Sequence, residues 1–391
     1  MSDVVIVGAK RTAIGSFLGQ FTGVPTPTLG ATAIRAALEH AGVAADQVDE
    51  AIVGCVLPAG LGQAPARQAV LAAGLPTSTT CTTINKVCGS GMKAIMLGSD
   101  LIRAGSAKVI VAGGMESMTN APHLLNGSRT GTRYGSAEML DHMAFDGLTN
   151  AYDGKSMGIF ADATSEKYGF SREDQDAFAA ESVRRALAAQ AANAFADEIA
   201  PVTVSGRKGD VVHASDEQPG RCNIEKIPSL RPAFNKDGTV TAASSSSISD
   251  GAAAVVLLGA DDAKARGITP LARIVAHASH AQEPQWFTTA PVAAIRNVLD
   301  KAGWSVGDVD LFEINEAFAC VAMAPIKDLG IPHEKLNING GACALGHPIG
   351  ATGARIVVTL LHALIRSGGK RGVAALCIGG GEATAIAIER V

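Results

Sequence analysis

The sequence predicts an α/β protein built from two related halves, with a polar segment inserted into the first. Three observations lead there. Short Val/Ile/Ala runs such as VVIVGA and VIVAGG alternate with Ala-rich amphipathic stretches such as TLGATAIRAALEHAG, the pattern of buried strands joined by helices. An internal repeat spans the chain: residues 38–49, LEHAGVAADQVD, return as residues 299–310, LDKAGWSVGDVD, and the copies lead into the strand-like EAIVG and LFEIN. Residues 91–114, GMKAIMLGSDLIRAGSAKVIVAGG, likewise parallel residues 353–381, GARIVVTLLHALIRSGGKRGVAALCIGGG. A period of about 260 residues is too long for a solenoid and describes two α/β units facing each other.

The composition changes between the two units. TNAPHLLNGSRTGTRYGSAEML is polar and Gly-rich; SREDQDAFAAESVRRALAAQAA predicts a helix with Ser171 as N-cap and acids in its first turn; PVTVSGRKGDVVHASDEQPGR predicts a hairpin and a loop. SISDGAAAVVLLGA (residues 247–260) returns to strand character. The expected division is therefore residues 1–118 and 244–270 for the first half, 119–243 for the insertion and 271–391 for the second half. Inserted loops of this kind commonly carry ligand specificity.

Composition narrows the function. The 391 residues are 47% hydrophobic and 18% charged, enough for a large core and two or three domain-sized units. The net charge is −4 and no long basic block occurs, which argues against nucleic acid as a partner. The beginning, MSDVVIVGAK, lacks a basic n-region and a long apolar h-region, and no run approaches the ~18 apolar residues of a membrane span. No membrane association and a cytoplasmic location are expected. The seven cysteines are odd in number and include no C-x-x-C pair, so neither a disulfide framework nor a zinc site is indicated.

Three segments combine reactive side chains with glycine, and a fourth places polar groups at a strand end. In KVCGSGMKA, Cys88 precedes an expected helix, where free N–H groups and the helix dipole would lower a thiol pKa, and Gly89 and Gly91 would let the backbone turn tightly. The competing reading of Cys88 is a small core residue packed at a turn. In NGGACALGHPIGATGARI, His347 falls within about two residues of the Cys88 counterpart in the repeat, so two facing halves would bring them together. In CIGGGEATA, Cys377 ends a buried strand before a glycine run whose N–H groups can approach a substrate oxygen; a strand-end cysteine before a bend is the alternative. In EINEAFA, Asn315 ends a strand and Glu316 starts a helix; Asn315 would orient a water or the imidazole, or simply cap the helix. The chain lacks G-x-G-x-x-G, a P-loop, H-E-x-x-H and G-x-S-x-G.

NKVCGSG, NEAF, GGACALGHPIGATGAR and CIGGG, in this order and spacing, together with RTAIGSF, GLGQAPARQA, AGGMES and LRPAF, resemble the thiolase family over nearly the whole chain. The resemblance implies two βαβαβαββ halves in a five-layered αβαβα core, with a loop domain inserted in the first half. It implies Cys88 as acyl-carrying nucleophile, His347 as its activator and part of an oxyanion site, Cys377 as acid/base, and Asn315 as the holder of a water in that site. Gly379 and the Cys88 backbone would form a second oxyanion site. Cys377 sets the chain apart from ketosynthases, which resemble this superfamily but lack that base.

Within the family the chain is most similar to members that reversibly condense two acetyl-CoA into acetoacetyl-CoA and CoA; the alternative is a 3-ketoacyl-CoA thiolase of broader chain length in β-oxidation. Coenzyme A would be substrate and product, with no tightly bound cofactor and no metal. Ser246, Leu148, Met157, Phe234, Ala317 and Phe318 match positions lining the CoA tunnel, and Arg221 lies near the position that meets the adenine end. A homo-oligomer is implied, dimer or tetramer; residues 119–138 match the tetramerisation loop in position. Ser156 replaces a His of short-chain members, Ser244 an Asn, and Phe178 the Tyr of a potassium-activated relative. Glu382 stands where an apolar residue is usual.

Overall fold

The computed structural model describes residues 3–207 and 209–391. An 11-stranded sheet runs through it. Its main strands are β1 (Val4–Thr12), β2 (Glu50–Gly54), β3 (Thr80–Ile84), β4 (Val109–Ser117), β5 (Ser249–Gly259), β6 (Ala272–Ala281), β7 (Leu311–Ile314), β8 (Arg371–Ile378) and β9 (Glu382–Arg390). Their order is β7-β8-β9-β6-β1-β5-β4-β2-β3. The order is a mirror about the β6–β1 seam: the outer strand pairs, β2–β4 and β7–β8, are parallel, and the inner ones antiparallel. Even the edge strand β3 has a trace of a counterpart in the second half, where Leu336 bridges to Phe312. The seam itself is short, Val4–Ile6 against Ala272–Ile274. The repeat in the sequence is thus a repeat of sheet topology.

Helices fill the layers. Thr26–Ala41 (α1) and Pro65–Ala72 (α2) cover the outer face of the first half. Ser90–Arg103 (α3) lies between the halves. In the insertion, Met157–Tyr168 (α4) and Arg172–Ala191 (α5) follow. Ala290–Ala302 (α6) and Ala319–Leu329 (α7) cover the second half, and Ile349–Ser367 (α8) packs on α3 in the centre. Strands such as β4 and β5 are buried along their full length because helices cover both faces, which is why they read as unbroken apolar runs. The central core joins Ile95 and Met96 of α3, Ile110 of β4, Val357 and Leu361 of α8 and Leu376 of β8. α8 is long and apolar enough to cross a membrane, but it is mostly buried in the protein interior, packed on α3 between the two halves. The sequence reading missed this stretch because glycine, threonine and an arginine interrupt it.

The insertion is threaded from the first half yet leans on the second. α5 opens with a reciprocal capping box: Asp174 N–H donates to Ser171 Oγ and Ser171 N–H to Asp174 Oδ2, each at 3.0 Å. Its far face reaches the second half, where Arg185 Nη1 donates to Leu336 O at 2.6 Å and Ser182 Oγ to Glu316 Oε2 at 2.7 Å. The expected hairpin is formed by Val202–Gly206 and Gly209–His213. One expectation shifts. The helix after β7 begins at Ala319, not Glu316. Glu316 instead accepts bonds from Ser182, Asn337 and Cys343 N, which hold residues 315–318 as an extended bridge before the helix can start.

Candidate active site

The Cys88 turn lies between the end of β3 at Ile84 and the start of α3 at Ser90. Val87 carries its strain, with φ of +46°, where a β-branched residue is disfavoured. Local bonds hold it there: Val87 N–H to Asn85 Oδ1 at 2.9 Å, Lys86 N–H to Ser90 Oγ at 2.8 Å, and Ser90 Oγ–H to Val87 O at 2.6 Å. Neither Gly89 nor Gly91 has positive φ, contrary to the expectation that they supply the turn. They supply space. A Cβ on Gly89 would collide with the Ile378 side chain, and one on Gly91 would fall 2.7 Å from Ala354 N.

The expected lowering of the Cys88 pKa is also reversed at rest. Burial pushes the thiol up to about 11, against the pull of the Gly379 and Cys88 N–H groups, and the nearby Glu116 adds to the rise. Resting Cys88 is a thiol that needs a base.

His347 sits on the turn before α8. Its N–H reaches Ser247 O at 3.1 Å and Ser249 Oγ at 3.2 Å. The ring Nδ1 lies 2.6 Å from Thr352 Oγ1, and the Thr352 hydroxyl donates its one proton to Pro348 O at 2.9 Å. Thr352 must therefore accept from Nδ1–H, which leaves the lone pair on Nε2. Burial first, and then the charge of Arg355, push the His347 pKa down to about 3, so the imidazole is neutral and able to accept a proton. Asn315 Nδ2 stands 3.5 Å from Nε2, and Asn315 Oδ1 is buried without a partner among the described residues. The glycine register makes Gly350, not His347, the repeat counterpart of Cys88: Gly91 and Gly353 occupy equivalent crossing points of α3 and α8. His347 reaches the centre from one turn earlier.

Cys377 lies near the end of β8, wholly buried, with its pKa well above the usual thiol value through burial, the charge of Cys88, and Cys320. β8 and β9 are joined by Gly379–Gly381, with φ of +93° at Gly380 and +95° at Gly381, conformations that glycine takes readily. A cavity of about 450 Å³ opens over these groups, bordered by Cys88, His347 and Gly379. Cys377 and Asn315 lie behind that wall. Leu148, Met157, Phe234, Ala317, Phe318 and Ser246 all face the cavity. Arg221 does not: it is turned aside into an ion pair with Glu217, and Gln218, one turn earlier, borders the cavity instead.

The sequence reading named Ser244 and Ser246 but not the strap they belong to, and several other site residues escaped it. Ser244–Ser249 form a strap that ties both turns of the second half, with Ala319 N–H to Ser244 O at 2.8 Å and Ser246 N–H to Ala317 O at 3.0 Å. The Ser244 side chain receives Thr241 N–H at 2.9 Å. Met118, Ile248 and Ile349 complete the apolar wall. Glu116 accepts Val56, Leu57 and Gly350 N–H at 3.0, 3.2 and 2.9 Å, joining the first half to the start of α8. Its only sequence signal is an acid at the end of a buried strand. A nucleophilic thiol, a neutral imidazole, a second thiol and backbone N–H donors around one apolar cavity suit acyl transfer and carbanion chemistry at a thioester.

The comparisons with known proteins agree over the full length. The family described as "Thiolase, N-terminal domain" matches residues 4–261, and "Thiolase, C-terminal domain" matches residues 268–390. The chain is 53% identical over 392 aligned residues to an acetyl-CoA acetyltransferase of Pseudomonas aeruginosa, covering 100% of both. It is 52% identical to one from Chromobacterium violaceum, covering 99% of this chain and 100% of that one. The crystal structure of the Bacillus anthracis acetyl-CoA acetyltransferase superposes with a TM-score of 0.97 at 41% identity, covering 100% of this chain and 99% of that one. With its mirrored halves, its helix pair between them and these full-length matches, the chain belongs to the thiolase family.

Proposed function

We propose that the protein condenses two acetyl-CoA into acetoacetyl-CoA and CoA, and runs the reverse thiolysis, through an acetyl thioester on Cys88. The observation that carries this reading is the convergence of Cys88, His347 and Gly379 on one cavity with Cys377 directly behind them. The names of the relatives favour this reaction over longer-chain thiolysis.

His347 Nε2 takes the Cys88 proton. The thiolate attacks the thioester carbon, and the Gly379 and Cys88 N–H groups receive the charge on the oxygen. The bond to the CoA sulfur breaks, and the leaving sulfur takes its proton from Cys377, a thiol at rest. The new Cys377 thiolate is a strong base, because burial raises its pKa before any other cause, and acylated Cys88 places no charge beside it. It then removes a proton from the methyl carbon of the second acetyl-CoA. The enolate oxygen is held by the protonated Nε2 of His347 and by a water on Asn315, and its carbon attacks the acetyl group on Cys88. Cys88 leaves as thiolate and recovers the proton from His347.

Intact-mass analysis after incubation with acetyl-CoA tests the assignment. Cys88→Ala takes up no acetyl group; Cys377→Ala takes it up on Cys88 but forms no acetoacetyl-CoA. A Cys377→Ala variant that condenses at the wild-type rate would overturn the base assignment.

A further inference from the structure

Glu382, the residue that departs from the family's usual apolar side chain, has a partner. Its carboxylate pairs with Lys86 Nζ, two residues before Cys88. The pair joins the two halves: Lys86 belongs to the strained turn after β3, and Glu382 opens β9. Glu382 is also the cross-strand partner of Ile378, and the Ile378 side chain fills the space left by Gly89. Two neighbouring side chains of the β8–β9 hairpin therefore grip the turn on both sides of Cys88, at Lys86 and at Gly89. Gly379, whose N–H faces the Cys88 sulfur, lies inside that same hairpin, in the loop between Ile378 and Glu382.

We infer that Glu382 is a positioning residue for the oxyanion site: through Lys86 it fixes the Cys88 N–H, from the first half, against the Gly379 N–H, from the second. The bonds within the Cys88 turn cannot do this. Asn85 and Ser90 fix the shape of the turn but belong to the same half as Cys88. Ile378 limits approach by contact but gives no directional tie, whereas an ion pair does. The side chains are 24% and 38% exposed, so the pair is partly shielded from solvent and sensitive to salt. Donors placed to stabilise a developing oxyanion lose their effect when displaced by a fraction of an ångström, while a thiol that only has to be reached by a small electrophile does not.

This inference rests on the acyl-transfer reading, and the experiment separates the two. Wild type is first mixed with acetyl-CoA; failure to acetylate Cys88 sinks that reading and not the grip. With acetylation established, Glu382→Gln, Lys86→Gln and the exchanged pair Lys86→Glu/Glu382→Lys are compared by rapid-quench acetylation of Cys88 and, separately, by iodoacetamide alkylation of Cys88, which needs no oxyanion donors. The single variants acetylate about tenfold more slowly, alkylate as wild type does once each rate is divided by the Cys88 thiolate fraction read from its own alkylation pH profile, and the exchanged pair recovers most of the loss. Raised salt slows wild-type acetylation and leaves Glu382→Gln unchanged. The inference is overturned if Glu382→Gln acetylates at the wild-type rate, if acetylation and alkylation fall together, or if the exchanged pair does no better than the single variants.

Discussion

Gly91 and Gly353 face each other's helices across the centre of the molecule: a Cβ on Gly91 would fall 2.7 Å from Ala354 N, and a Cβ on Gly353 would strike Met92 N. The two crossing points are related by the internal repeat, and they set how closely α3 and α8 approach. Because Cys88 and His347 lie just before these helices, the crossing also sets how closely the two side chains meet. Gly353→Ala must push the helices apart or bend them, at about 1–3 kcal/mol as for other overpacked cores. A lower denaturation midpoint together with slower Cys88 acetylation is expected; an unchanged midpoint would show that the crossing has slack.

Thr352 fixes the imidazole. It accepts from Nδ1–H at 2.6 Å because its own proton goes to Pro348 O. Thr352→Val removes that acceptor and lets the ring exchange tautomers or rotate, so kcat falls about tenfold, the value of one ordinary hydrogen bond in a buried site, with KM for acetyl-CoA nearly unchanged. Thr352→Ser restores the hydroxyl and the rate. A Ser variant as slow as the Val variant would mean that packing of the methyl group, not the bond, is what counts.

The repeat and the four candidate segments were legible because each is local: a strand, a turn and a helix in sequence order. Features that depend on the other half were not. Gly89 and Gly91 read as turn formers, but their neighbours Ile378 and Ala354 lie in the other half, and the backbone strain sits on Val87. Thr352 is one helical turn from His347, yet a threonine at that spacing is an ordinary helix residue until the ring is seen to bond it. The helix start at Glu316 failed because Glu316 is claimed by Asn337 and Ser182, distant in sequence. Glu382 had no meaning without Lys86 beside it.

Glu116 gives a stability signature. Burial pushes its pKa up from 4.5 to about 7, against the pull of the Val56, Leu57 and Gly350 N–H groups. The folded protein therefore holds a proton between these values that the unfolded chain has released, and stability falls as pH rises through that window. The fall attributable to this one group between pH 5 and 7.5 is about 2 kcal/mol. Glu116→Gln does not titrate, so its denaturation midpoint declines less over the same interval. Parallel declines in the two proteins would show that Glu116 is ionised throughout.

Ser156 lines the same cavity as Cys88. It stands at the N-cap of α4 but makes no side-chain bond to the helix, and it is exposed to the cavity. Ser171, at the N-cap of α5, makes a complete capping box. Ser171→Ala should therefore cost about 1 kcal/mol of stability and Ser156→Ala almost none. A hydroxyl that does not support its helix leaves its position free to be chosen for what it presents to substrate. Its neighbour Met157 packs toward Gly379, beside Cys88, so bulk added at Ser156 is felt near the acyl group. Ser156→Phe is expected to depress thiolysis of longer 3-ketoacyl-CoAs first and acetoacetyl-CoA least, with melting unchanged. If the variant loses all chain lengths equally, Ser156 borders the pantetheine arm shared by every substrate and not the acyl group.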